Sequence, residues 1–249
     1  DADPAFYIST GKTESGRFIL IDAHDHSDTS ETFAIDAAAP DTAPRLLWAK
    51  ETGTTCDFSD HGERFFIRTN HGGALDFQIV EAPIADPSPE NWRDVVPHRA
   101  GCFIRSMLVF EQYLVRLERE DALPRIVIRD IASGDEHAIE FDEEAYDLSL
   151  SPGYEFATTT LRFAYSSPTT PQRVFDYDMK TRERTLRKAQ EIPSGHNPAD
   201  YVCRRLFATG ADGASVPVTV LHAKTTKLDG SAPLLLYGYG SYGISIPAS

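Results

Sequence analysis

From residue 1 to about residue 188, short runs of β-branched and aromatic residues alternate with clusters of Gly, Pro, Asp and Ser. That alternation predicts strand after strand and very little helix. One motif, in which polar and hydrophobic positions interleave, returns at nearly constant spacing. Arg17-Phe18-Ile19-Leu20-Ile21, Arg64-Phe65-Phe66-Ile67-Arg68, Gln112-Tyr113-Leu114-Val115-Arg116 and Leu161-Arg162-Phe163-Ala164-Tyr165 lie 47 to 49 residues apart. Each is followed by a second strand pattern (32–36, 76–80, 125–129, 173–177) and a weaker third (45–48, 93–96, 137–140, 183–186). Each is preceded by another candidate (6–9, 55–58, 102–105, 146–149). Four antiparallel strands per unit at this period predict β-propeller blades, at about 1–50, 51–98, 99–143 and 144–188. Solenoids have shorter repeats or helices.

A blade buries its faces against its neighbours, so an arc of four leaves two faces uncovered. With alternating apolar residues such as Phe18, Leu20, Phe163 and Tyr165 on the blades, self-association through exposed faces, or closure of the arc on itself, is expected.

The composition changes over residues 189–204, where Pro193, Gly195, Asn197 and Pro198 read as a domain linker. Beyond it, 205–209 and 216–221 predict a hairpin around Asp212-Gly213, a two-residue turn signal. Ala232 to Tyr237 predicts the next strand, an apolar parallel-type run ending in Gly238-Tyr239-Gly240-Ser241-Tyr242-Gly243. In α/β proteins such a strand end is where chemistry is placed.

Ser167-Pro168-Thr169-Thr170-Pro171, Phe175-Asp176-Tyr177-Asp178-Met179, Gln190-Glu191-Ile192 and Tyr237-Gly238-Tyr239-Gly240 occur in the order found in the prolyl oligopeptidase family of serine peptidases. The chain resembles that family, its oligopeptidase B branch in particular, loosely throughout and closely from Ser167 to Gly243. The resemblance implies a seven-bladed propeller of which these are the last four blades. It implies that residues 205–249 are the first strands of an α/β-hydrolase domain. It makes the sequence a piece of a serine endopeptidase acting on short peptides, cut after basic residues. Tyr237 would donate its hydroxyl to the oxyanion. The Ser, Asp and His of the triad, and the carboxylates that read a basic side chain, would follow residue 249, so the chain alone is expected to be inactive. A non-catalytic propeller serving as a protein-binding platform is the alternative, since propellers host many functions. The tail beyond residue 188 is what argues against it.

The remaining chemistry is weighed against blander roles. Gly238 to Gly243 spells GxGxxG, but Ile244-Ser245-Ile246-Pro247 does not open a helix, and a dinucleotide needs one. Ser241 fails as a nucleophile elbow because position 239 is Tyr in place of Gly. His24 and His26 alternate on a strand and could share an ion, yet they stand at a blade turn, where polar residues belong; no metal and no cofactor are expected. His61, His71, His137 and His222 read as solvated turn or strand-end residues, and His196 as a brace for the domain junction. The acidic run Glu140, Asp142, Glu143, Glu144 and Asp147 reads as a solvated loop, its sharper reading being a funnel for cationic peptides.

A formal net charge of −14 argues against nucleic acid and favours cationic partners. Nothing approaches the roughly 18 apolar residues of a membrane span, so no membrane partner is expected. Three scattered cysteines fit a reducing compartment. Asp1-Ala2-Asp3-Pro4 is unlike a signal peptide but reads as a cut start, so the expectation is cytoplasmic with the periplasm left open.

Overall fold

The computed structural model describes residues 6–25, 29–153, 155–241 and 245–248. Four four-stranded antiparallel sheets follow one another along the chain. The first holds β1 (Tyr7–Lys12), β2 (Phe18–His24), β3 (Ser30–Asp36) and β4 (Arg45–Trp48). The second holds β5 (Cys56–His61), β6 (Arg64–Thr69), β7 (Gln78–Pro83) and β8 (Arg93–Val96). β9 (Cys102–Val109), β10 (Tyr113–Glu120), β11 (Leu123–Asp130) and β12 (Glu136–Ala138) make the third. β13 (Asp147–Ser151), β14 (Thr160–Ser166), β15 (Arg173–Asp178) and β16 (Arg184–Ala189) make the fourth. In every sheet the strands are ordered as in the chain, which is the blade topology of a propeller.

The sheets stack face to face through three apolar clusters, one per junction. Phe65 and Ile67 point from β6 toward Phe18 and Trp48 of the first sheet, while Phe66, between them, joins Ile104, Val109 and Leu114 of the third. Period-two alternation thus serves both neighbours at once. The third and fourth sheets meet through Val115, Leu117, Ile126 and Ile128 against Leu148, Leu161, Phe163 and Tyr165. Phe18, Phe163 and Tyr165 are therefore buried between sheets, and Leu20 packs into the same cluster as Phe18. They do not lie on the free faces, as the repeat pattern alone suggested. Each apolar run has two faces, and only the stacking order tells which one is covered.

Two boundaries differ from the pattern for local reasons. The third strand of the second sheet was expected from Asp76, but Phe77 is held at φ +66° and its N–H closes a turn on Ala74, so pairing begins at Gln78. The strands also extend into both ends of 189–204, leaving 190–200 irregular except for a short 3-10 turn at Pro198–Asp200, capped by the Asn197 side chain.

After this segment, β17 (Tyr201–Thr209) and β18 (Ser215–Ala223) form a separate hairpin. Thr209 pairs with Ser215, so the loop has five residues instead of two, with Gly213 at φ +84° and two backbone hydrogen bonds inside it. The strand expected over 232–237 is absent: the segment pairs with neither hairpin strand, and Leu234, Leu235 and Leu236 are more than four-fifths exposed. A central strand exists through its ladder, and among the described residues this one has no partner.

Candidate functional site

The irregular segment and β17 are pinned to one end of the stack. His196 Nε2 meets the Thr169 carbonyl at 2.7 Å, in the loop after β14, and its ring stacks on Tyr201. Glu144 takes two hydrogen bonds, from Arg204 Nη1 at 2.8 Å and from the Arg205 N–H at 2.9 Å, which hold its carboxyl below the usual range. His196 thus makes the bridging contact expected of it. The acidic run is not simply solvated: Glu143 accepts from Thr170 Oγ1 at 2.6 Å and Glu144 binds the hairpin, while Glu140 and Asp142 are exposed and Asp147 is half-buried.

Because strands alternate in direction, this end also carries the starts of β5, β9 and β13 and the ends of β6, β10 and β14. Here β5 lies against β9, the first strands of neighbouring sheets. This end of the stack is densely charged. Arg68 Nε binds Asp57 at 2.8 Å and its Nη1 reaches the Ile104 carbonyl in the next sheet. Arg99 binds Glu120 at 2.6 Å. Below them, buried Arg116 spans Glu118 at 2.8 Å and both oxygens of Glu136. Burial alone would raise the Glu136 carboxyl; the Arg116 and Arg129 guanidinium groups outweigh it and hold the group low.

Cys102, Glu118 and Glu120 are the one acid–thiol cluster of metal-ligating spacing among the described residues. Its carboxylates are already bound by Arg99, Arg116 and Arg125, and burial pushes the Cys102 thiol up, away from a ligating thiolate. The donor set suits an ion-pair network, not a metal. All three cysteines are free, and burial pushes the Cys56 thiol up to about 12, the behaviour of a packing residue.

Tyr237 is 74% exposed and its hydroxyl has no partner among the described residues. The turn that follows runs into Tyr242 and Gly243, which lie outside the described residues, as does His26. His24 is exposed, with its ring 6.2 Å from that of Tyr7. Three histidines read as solvated turn or strand-end residues are in fact packed. His61 bonds the Glu111 carbonyl of the next sheet at 2.9 Å, His137 meets the Tyr177 hydroxyl at 3.1 Å, and His71 is wedged edge-on against Trp48 and Trp92. Burial, then the charge of Arg182, pushes His137 below its ordinary value. His222 stays at a strand end, bonded to the Ala223 carbonyl.

The comparisons agree with this architecture. Dipeptidyl aminopeptidase BI of Pseudoxanthomonas mexicana is 36% identical over 248 residues, covering 99% of this chain and 34% of that protein. Protease 2 of Moraxella lacunata is 28% identical over 243 residues, with 98% and 34% covered. Among solved structures, oligopeptidase B from Leishmania major superposes with a TM-score of 0.91 at 28% identity, over 100% of this chain and 36% of that one. The chain spans about a third of the length of these relatives. Residues 1–190 match the family model described as prolyl oligopeptidase, N-terminal beta-propeller domain, and the chain belongs to the prolyl oligopeptidase family.

Proposed function

We propose that this chain is the propeller and the opening strands of the hydrolase domain of a serine oligopeptidase that cleaves short peptides after basic residues. The carrying observation is the joining of a family propeller over residues 1–190 to an exposed apolar segment that ends in Tyr237-Gly238-Tyr239-Gly240. A purely binding propeller has no use for that tail. In the intact enzyme the propeller covers the active site, admitting oligopeptides, excluding folded proteins and shielding the reaction from bulk water. Tyr237 donates to the oxyanion of the tetrahedral intermediate, a contact made as charge develops and worth about 3 kcal/mol. The net charge of −14 favours cationic peptides. The three free thiols suit the cytoplasm.

The 249 residues contain no GxSxG, so the polypeptide by itself is expected to hydrolyse nothing. Fluorogenic arginyl and lysyl peptides, with an alanyl control, test both halves of the reading. The full-length protein should turn over the basic substrates and bind a fluorophosphonate at one serine, and this chain should do neither. Labelling of a serine within this chain, or preference of the full-length protein for the alanyl substrate, would overturn the assignment.

A further inference from the structure

Three of the four sheets carry a bulge between their third and fourth strands, at Thr32/Phe33, Ile79/Val80 and Val174/Phe175, where an outer edge must twist. The third sheet is different. Its bulge lies between its first two strands, where the corresponding ladders of the other sheets are regular. Glu118 faces Ile104 and Leu117 faces Ser106, so Arg105 is the extra residue. A bulge of this kind re-aims a side chain, and Arg105 is exposed on β9, an edge strand of its sheet.

Arg119, near the end of β10, is only half-buried and feels the charge of Arg105 and of Asp147, at the start of β13. Neither arginine has an ion pair or a side-chain hydrogen bond with a described residue. The contrast within the sheet is sharp: Arg99, Arg116, Arg125 and Arg129 are each bound to a carboxylate. The register places Arg105 one pair along the β9–β10 ladder from Arg119, so two arginines without an ion pair are neighbours on adjacent strands. Burial and Arg105 push the Arg119 guanidinium below its ordinary value, a cost that an added anion would remove.

We propose that Arg105 and Arg119 form a carboxylate site at the junction of the third and fourth sheets, taking the free α-carboxylate of a short peptide. The assignment rests on the oligopeptidase reading above. The guanidinium fork matches a carboxylate in two parallel hydrogen bonds, which a point charge does not offer. A peptide held by its carboxy end is placed at a fixed distance from the site that acts on the rest of it. The site would therefore rank peptides by length.

Fluorescence anisotropy tests this on the chain itself. The probe is an amino-terminally labelled, alanine-rich pentapeptide with one arginine, as the free acid and as the carboxamide. The acid should bind about five- to tenfold more tightly at low ionic strength. Arg105→Gln, at an exposed position, should shrink that gap, and Arg105→Gln with Arg119→Gln should close it while leaving the affinity for the amide unchanged. Equal affinities in the parent chain, or a gap that survives both substitutions, would overturn the site. Equal weakening of acid and amide would overturn it too. Binding is read without turnover, so a failure to hydrolyse bears on the peptidase reading alone.

Discussion

At the residue scale the first prediction follows from the role proposed for Tyr237. An oxyanion donor makes its contact as charge develops in the transition state, so its loss is read in kcat. Tyr237→Phe in the full-length enzyme should lower kcat by about 10²-fold or more and leave KM nearly unmoved; an unchanged kcat reduces Tyr237 to packing. The buried charges of the third sheet make a second case. Arg116→Met leaves Glu118, only 2% exposed, with Arg125 at 3.6 Å as its remaining cation. Removing one member of a buried pair costs about 3–5 kcal/mol, so urea denaturation should report a loss of that order. The pH dependence has a definite sign. Glu136 is held below its ordinary value, so its contribution is present above the unfolded value and is lost as pH falls through the folded one. Acid should weaken the parent, and Arg116→Met should flatten that slope. None of this network was legible in the sequence, because Arg116, Glu118, Arg125, Arg129 and Glu136 alternate along strands as surface charges do. His61 and His137 were missed for the same reason: their partners belong to other strands or neighbouring sheets.

Individual strands were far more legible, because their signal is local. The polar-to-apolar step at Arg64-Phe65 and the alternation of Leu161, Phe163 and Tyr165 require no knowledge of neighbours, and β6 and β14 formed there. What failed was what pairing decides. Phe77 carries strand propensity but occupies left-handed backbone, where it packs edge-on against Phe103 at 5.4 Å with the Arg68 guanidinium over its ring. Ala232 to Tyr237 has the strand pattern and no partner among the described residues. The bulge at Arg105 leaves no mark on the sequence at all. Burial separates two positions that look alike on paper. Phe163→Ala removes a fully buried ring between the third and fourth sheets and should cost about 3–5 kcal/mol. Ile21→Ala, on the far face of the first sheet and half-buried, should cost well under half as much. Equal losses by thermal or urea melts would mean that the far face is covered in solution.

For the whole molecule, the two terminal faces are unlike each other, and that asymmetry decides how copies would meet. On the fourth sheet, the face turned away from the stack carries Arg162 paired with Asp176 at 2.7 Å and Arg187 bound to the same carboxylate at 3.0 Å. It has the chemistry of a solvated surface. The corresponding face of the first sheet is apolar: Ile19 pairs with Ile35, Ile21 with Phe33, and Phe33 with Leu46, which is 47% exposed. A contiguous apolar sheet face is more than a monomer ordinarily leaves to water. Head-to-tail stacking would press these aliphatic side chains onto the Arg162–Asp176–Arg187 network and desolvate it, at a cost of several kcal/mol per charge left unmatched. Self-association should therefore be isologous, first sheet to first sheet, and should stop at dimers, because the polar face cannot propagate a fibre. Light scattering across a dilution series should show a monomer–dimer equilibrium. Phe33→Lys should shift it to monomer, whereas Asp176→Asn should leave it where it is. Higher oligomers that grow with concentration, or a dimer sensitive to Asp176→Asn and indifferent to Phe33→Lys, would place the contact on the fourth sheet and refute the argument from asymmetry.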